Sequence, residues 1–292
     1  METLFTSSSF LPEFIFSNLK GEIVDYIISS YMVDMSIVHV YYWHPNIQVH
    51  CDTIYNNSIL DSQYITLHQV QKPGIYHAKF VLVTTTKVLR LIIMTTNFTN
   101  QLISENWNDY YILTIPKTKK KCVSKNMSKF MLFLNKFDIH LKQDIFFYDW
   151  SSINANIICS IPNVVSHYDC YKEYFEKEQF DDCTVQCSTM IIPFNWSNVF
   201  NVKDVTIVIP DDFDKRKDKD MNYFILNISN PYNFTIKSEH YDQPYHFKRY
   251  ILNNQVSSYM IITSANLTKQ AWGCNLFMSL NAELGIIWKK TK

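Results

Sequence analysis

Tyr76-His77-Ala78-Lys79 and Tyr245-His246-Phe247-Lys248 are two copies of one pattern, and their agreement decides the fold. The first copy runs on through an apolar stretch, a polar turn at 85–87 and a second apolar stretch to Thr95-Thr96-Asn97-Phe98-Thr99. The second does the same, through a turn at Asn253-Asn254, to Ser264-Ala265-Asn266-Leu267-Thr268. In both copies Lys follows His by two residues and Asn follows it by twenty. Both also have a Tyr before the His and a Thr two residues after the Asn. The apolar stretches are rich in β-branched and aromatic residues, so each copy reads as strand–turn–strand. Agreement in identity, spacing and local pattern implies two half-molecules built on one plan.

Outward from the repeat, the periodicity predicts an amphipathic helix over 12–31 and a buried strand over 36–43. Strands are expected at 47–50, 64–69, 78–84, 88–95, 110–115 and 156–161, with helices at 127–137 and 165–180. Further strands follow at 185–190, 205–209, 223–228, 247–252, 258–263 and 283–288. This alternation is that of an α/β protein whose sheets are covered by helices. The expected division is a first half over 1–150 and a second over 151–292, each with one motif.

Composition narrows the function. Hydrophobic residues make up 47% of the 292, enough for a substantial core. Four glycines all but exclude a glycine-rich phosphate loop. Lys+Arg and Asp+Glu balance at 27 each, which opposes a general nucleic-acid coat but leaves room for a local basic groove. The seven cysteines show no CxxC, and the pair Cys183 and Cys187 has no second pair to complete a zinc site. They read as reduced thiols of an intracellular protein. No apolar run approaches the roughly 18 residues that span a bilayer. Two of seven Asn-x-Ser/Thr sequons, at Asn97 and Asn266, fall inside the repeat, where a glycan would block it. The lysine-rich run 117–121 reads as a solvated loop, with a nucleic-acid backbone contact or import patch as its functional reading, and the mixed-charge run 211–220 as a loop.

Residues two apart on a strand share a face, so His77 projects with Lys79 and His246 with Lys248. A hairpin returns Asn97 and Asn266 toward their own pairs. Neither motif contains a carboxylate, and an ammonium repels a cation, so the set is ill suited to a metal. It suits a phosphate diester. Two lysines and two amides can hold the non-bridging oxygens in a trigonal-bipyramidal transition state. One neutral histidine attacks phosphorus while the other, protonated, supplies the leaving oxygen with a proton. Neither motif has a base to orient its imidazole, which implies that the halves meet across an interface.

These residues resemble the phospholipase D superfamily, and within it the tyrosyl-DNA phosphodiesterase branch. The superfamily pattern His-x-Lys-x4-Asp has Thr84 and Asn253 in place of Asp here, a loss typical of that branch. Thr263-Ser264-Ala265-Asn266-Leu267-Thr268-Lys269-Gln270-Ala271-Trp272-Gly273, followed by Ala282-Glu283-Leu284-Gly285, is similar to its second motif. The motifs cover about a quarter of the chain. The resemblance implies two pseudo-two-fold-related α-β-α sandwiches with mixed sheets and the active site at their interface. It implies His77 as nucleophile, His246 as general acid then base, and Lys79, Lys248, Asn97 and Asn266 on the phosphate. Glu283 would orient His77 from the other half. The family's Gln beside the second histidine corresponds to the shorter Asn108, with Glu105 and Asn106 as alternatives; Ser188 and Thr189 would contact DNA phosphate.

The implied substrate is a 3′-phosphodiester between DNA and tyrosine, as left by a type IB topoisomerase, cleaved without metal or cofactor by a monomer. Residence would be nuclear, or cytoplasmic at a viral replication site. The chain resembles a minimal form of the family without its N-terminal extension. The alternatives are another nuclease or phospholipid phosphodiesterase of the superfamily, and a non-catalytic DNA-end-binding module.

Overall fold

The computed structural model describes residues 1–7, 12–42, 44–56, 64–70, 74–99, 108–187, 202–210, 233–240, 246–267, 269–273 and 279–290. The first half contributes β1 (Glu2–Ser7), β2 (Ile23–Asp34), β3 (Ile47–Asn56), β4 (Ile65–Gln69), β5 (Ile75–Tyr76), β6 (Phe80–Thr85), β7 (Val88–Met94) and β8 (Asn108–Pro116). The second contributes β9 (Asn156–Ser160), β10 (Phe180–Cys187), β11 (Val202–Pro210), β12 (Asn233–Glu239), β13 (Lys248–Asn253), β14 (Ser258–Thr263) and β15 (Asn281–Lys290). The α-helices described are α1 (Pro12–Phe16), α2 (Met35–Tyr41), α3 (Lys125–Lys136), α4 (His167–Phe175) and α5 (Lys269–Trp272).

One sheet runs β4-β3-β2-β6-β7-β8-β1, the other β12-β11-β10-β13-β14-β15-β9. In each, the first three strands pair parallel and the rest antiparallel, apart from the short β5, which joins the second sheet parallel to β15. The duplication seen in two short motifs thus extends to two whole mixed sheets. Even Thr84 and Asn253, each five residues after its motif Lys, match. Thr84 donates to Asp25 on the neighbouring strand at 2.5 Å, and Asn253 donates to Asp182 at 2.7 Å.

Three cores hold the layers together. One face of the first sheet (Tyr26, Ile28, Val81, Val83) packs with Ile15 of α1 and Met35 and Val38 of α2. One face of the second (Val185, Ile207, Tyr250, Ile261) packs with Tyr171 of α4 and Trp272 of α5. The core between them is shared: Leu82 and Leu91 of one sheet, Ile262, Leu284 and Ile286 of the other, and Phe130 and Phe133 of α3. Burying apolar surface common to both halves fixes their relative placement.

Three local expectations are corrected. Within 12–31 only Pro12–Phe16 is helical, and the chain from Ile23 is strand β2. This strand is central and buried on both faces, so its apolar run is nearly continuous and imitates a helical pattern. The expected strand over 36–43 is helix α2. Its β-branched residues suggested a strand, but the Asp34 carboxylate caps the Ser36 N–H at 2.9 Å and tertiary packing overrides propensity. The helix expected over 165–180 stops at Phe175, and β10 begins at Phe180. Strands β1, β5 and β12 had no expectation. The proposed strand 223–228 and the mixed-charge run 211–220 lie outside the described residues.

Candidate active site

The first histidine is placed by the second half. Gly74, at φ +90°, brings the chain so close to β15 that a Cβ would stand 2.0 Å from the Leu280 carbonyl. Strand β5 then pairs parallel with Asn281 and Ala282, and the His77 N–H donates to the Ala282 carbonyl at 2.9 Å. That register sets His77 Nδ1 2.9 and 3.0 Å from the two carboxylate oxygens of Glu283. Ser264 Oγ donates to Glu283 at 2.5 Å and Asn281 Nδ2 at 3.1 Å. Burial alone would raise the Glu283 carboxyl, but His77 and Lys79 outweigh it and hold the pKa at about 2. A carboxylate can only accept, so Nδ1 carries the proton and Nε2 presents a lone pair. Burial lowers the His77 pKa; Glu283 opposes this and Lys79 adds to it.

The second histidine is placed by the first half, in a different way. His246 Nδ1 donates to the main-chain carbonyl of Thr95 at 2.7 Å, and Lys248 Nζ donates to the same oxygen at 3.0 Å. The Lys248 ammonium stands 3.0 and 3.3 Å from the two imidazole nitrogens. Burial, then Lys248 and Lys79, push the His246 pKa well below its ordinary value. Asn108 does not take the role expected of it. Its position is equivalent to that of Glu283, since Met94 opposite Tyr110 corresponds to Thr263 opposite Gly285. At His246 Nδ1 the Thr95 carbonyl stands instead. The alternatives Glu105 and Asn106, like Ser188 and Thr189, lie outside the described residues.

Both lysines are fully buried. Lys79 Nζ donates to the His77 carbonyl at 2.8 Å. Burial and Lys248 depress the Lys79 pKa strongly, and burial brings Lys248 to about 8. Asn97 Oδ1 accepts from Ser30 Oγ at 3.3 Å and Met32 N–H at 3.4 Å, which aims its amide nitrogen away from β2. Asn266 Oδ1 is buried without a protein partner. Two buried ammonium groups thus face one buried carboxylate, Glu283. The next acid, Asp109, is bound by Arg249. With both lysines protonated the local balance is one positive charge, which a phosphate monoanion would neutralise. Among the described residues no group of three or more His, Cys, Asp or Glu is placed to hold a metal ion.

Several site residues had no reading in the sequence. The Tyr31 ring lies 5.2 Å from the His77 ring and 5.9 Å from Lys79 Nζ, and nothing local to 30–32 announces it. Thr95 and Ser264 did leave a signal: each is a hydroxyl residue two before the motif Asn. The lysine run 117–121 lies at the end of β8 remote from the site, where Lys117 covers Tyr148 and Lys121 covers Phe146 and Phe147.

No family model and no curated protein matches the sequence. Solved structures do match in three dimensions. The yeast tyrosyl-DNA phosphodiesterase superposes with a TM-score of 0.71 at 15% identity, covering 99% of this chain and 89% of that one. A mutant of the same yeast enzyme gives 0.76 at 12% identity, over 99% and 89%. The chain has the tyrosyl-DNA phosphodiesterase fold. The likeness extends to phosphatidylserine synthase of Haemophilus influenzae, with a TM-score of 0.56 at 11% identity over 97% and 81%. Two mixed sheets that each supply a His-x-Lys…Asn set to one seam are the architecture expected from the repeat. Among the described residues no helix is long and apolar enough to cross a membrane.

Proposed function

We propose that this protein is a phosphodiesterase that hydrolyses the 3′-phosphodiester between DNA and a tyrosine, through a phosphohistidine. The observation that carries this reading is the pairing of two His–Lys sets, their lysines buried, whose histidines have unlike partners, a carboxylate for His77 and a neutral carbonyl for His246. A carboxylate on Nδ1 raises the basicity of Nε2, so His77 is the nucleophile. A neutral acceptor leaves His246 the more acidic of the two, and it becomes the proton donor when a bound phosphate offsets Lys248 and Lys79, the charges that with burial hold its pKa down.

In the first step His77 Nε2 forms a bond to phosphorus and the bond to the tyrosine oxygen breaks. The proton on His246 Nε2 passes to that oxygen. In the second, His246 takes a proton from water, the hydroxide attacks phosphorus and the N–P bond breaks. The products are tyrosine and a DNA 3′-phosphate, with both histidines restored. Lys79, Lys248, Asn97 and Asn266 hold the non-bridging oxygens, where charge develops. A 3′ adduct of a type IB topoisomerase is the corresponding biological substrate. DNA end repair by a monomer inside the cell, in the nucleus or at a cytoplasmic replication site, is the corresponding role. Ser188 and Thr189 remain the proposed contacts to DNA phosphate.

The test is an oligonucleotide carrying 3′-phosphotyrosine, incubated in excess EDTA. Release of a 3′-phosphate oligonucleotide and tyrosine is expected. No release, alongside cleavage of unmodified single strands or of phospholipid, would replace this reading with the nuclease or the lipid enzyme of the same superfamily.

A further inference from the structure

We propose that the ion pair between half-buried Arg249 and buried Asp109 is the positioning device of the proton donor His246, a proposal that rests on the reading just given. Arg249 follows Lys248 directly, and its guanidinium lies over the Phe247 ring at 4.6 Å. It reaches across the interface to Asp109, with Nε 2.9 Å from Oδ2 and Nη2 on Oδ1. Two of the three remaining donors are used too: Nη2 to Thr6 Oγ1 at 2.8 Å and Nη1 to Gln186 Oε1 at 3.1 Å. Thr6 Oγ1 in turn donates to Asp109 at 2.8 Å. Asp109 is fully buried, and this fork-to-fork geometry fixes it in both direction and depth.

Asp109 passes that placement to the site through its main chain. Its N–H donates to Thr95 Oγ1 at 3.1 Å, and its carbonyl accepts from the Thr95 N–H at 3.2 Å. Thr95 is thereby clamped on both sides, and its carbonyl is the oxygen that holds His246 and Lys248. The segment 246–249 therefore grips the first half at two points, Thr95 through His246 and Lys248 and Asp109 through Arg249.

The other half makes the same clamp without an ion pair, the Ser264 N–H donating to the Leu284 carbonyl at 2.9 Å and the Leu284 N–H to Ser264 Oγ at 3.1 Å. By strand register the counterpart of Asp109 is Leu284, and by motif position that of Arg249 is Phe80, both apolar and fully buried. There the histidine is held directly by the Glu283 side chain. The half whose histidine rests on a main-chain carbonyl is the half that carries an ion pair to fix that carbonyl.

A positioning role for a proton donor predicts dependence on the leaving group. Tyrosine leaves poorly without a proton, whereas 4-nitrophenolate needs none. Asp109→Asn, nearly isosteric, and Arg249→Lys, which keeps the charge but loses the fork, are compared with wild type in single turnovers. With a 3′-phosphotyrosyl oligonucleotide, formation of the His77 adduct should slow about ten-fold or more. With the 3′-(4-nitrophenyl phosphate) ester it should stay within about two-fold, because no proton transfer is removed. Hydrolysis of the adduct should slow for both, with KM little changed. Arg249 is the more exposed partner, so Arg249→Lys serves if Asp109→Asn does not fold. Equal loss on both esters, or no loss on either, overturns the proposal. A wild-type protein that forms no adduct with either ester would instead overturn the phosphodiesterase reading itself.

Discussion

Glu283 and His77 are 206 residues apart in the chain and joined by a hydrogen bond of 3.0 Å. Each lies on a different half, and each is incomplete alone: the imidazole has no base in its own motif, and the carboxylate is fully buried. Replacing Glu283 with Gln keeps the shape but allows the amide to donate toward Nδ1, favouring the wrong tautomer. Adduct formation should fall about a hundred-fold or more while substrate binding persists. Rapid-quench measurement of the adduct checks this; a change in KM alone would refute the orienting role.

The unlike partners of the two histidines give unlike variants. On the proposed mechanism His246→Ala retains the nucleophile and should accumulate DNA covalently bound to protein, because the base proposed to activate water is gone. His77→Ala should form no adduct. Denaturing gels of each variant after incubation with a 3′-phosphotyrosyl oligonucleotide distinguish them, and an adduct on His77→Ala alone would exchange the roles.

Lys248 has its pKa lowered by burial to about 8, so its charge is present below that pH and lost above it. Anion affinity should follow. Sulfate stays a dianion throughout, and its inhibition constant should rise about ten-fold between pH 7 and pH 9 as the ammonium is lost. Lys248→Arg, charged across the range, should flatten the profile. A wild-type profile already flat would show that Lys248 stays protonated.

Away from the site, His50 is buried on β3 with neither ring nitrogen hydrogen-bonded, stacked on His68 at 4.4 Å. Burial first, then His68 and His140, lower its pKa to about 3. Above pH 6.5 the ring is neutral folded and unfolded, and stability is unaffected. As pH falls toward 3 only the unfolded chain takes up the proton, so stability declines, by about 2 kcal/mol at pH 5. His50→Phe keeps the stacking surface without the titration. Its urea midpoint should fall less than that of wild type between pH 7.5 and pH 5, and an equal fall would assign the acid sensitivity elsewhere.

The repeat was legible because its chemistry demands identity at fixed spacing: His77, Lys79 and Asn97 are one hairpin, as are His246, Lys248 and Asn266. Short-range geometry suffices for such a set, and the strands that carry it, β6, β7, β13 and β14, were read within about two residues. Segments whose surroundings are not local were misread. Residues 23–34 imitate a helix because β2 is buried on both faces, and residues 35–41 imitate a strand until Asp34 caps them. The sequence by itself determined that two equivalent half-sites exist and that their side chains suit an anion. Only the tertiary structure decided what makes them unequal. Thr95, Asp109 and Arg249 bear on His246 across an interface, and no pattern within either half records which side chains an interface will bring together. The Asn108 position shows the limit best. It is the counterpart of Glu283 in strand register, but which group meets the histidine across that interface is set by the packing of the shared core, not by spacing along the chain.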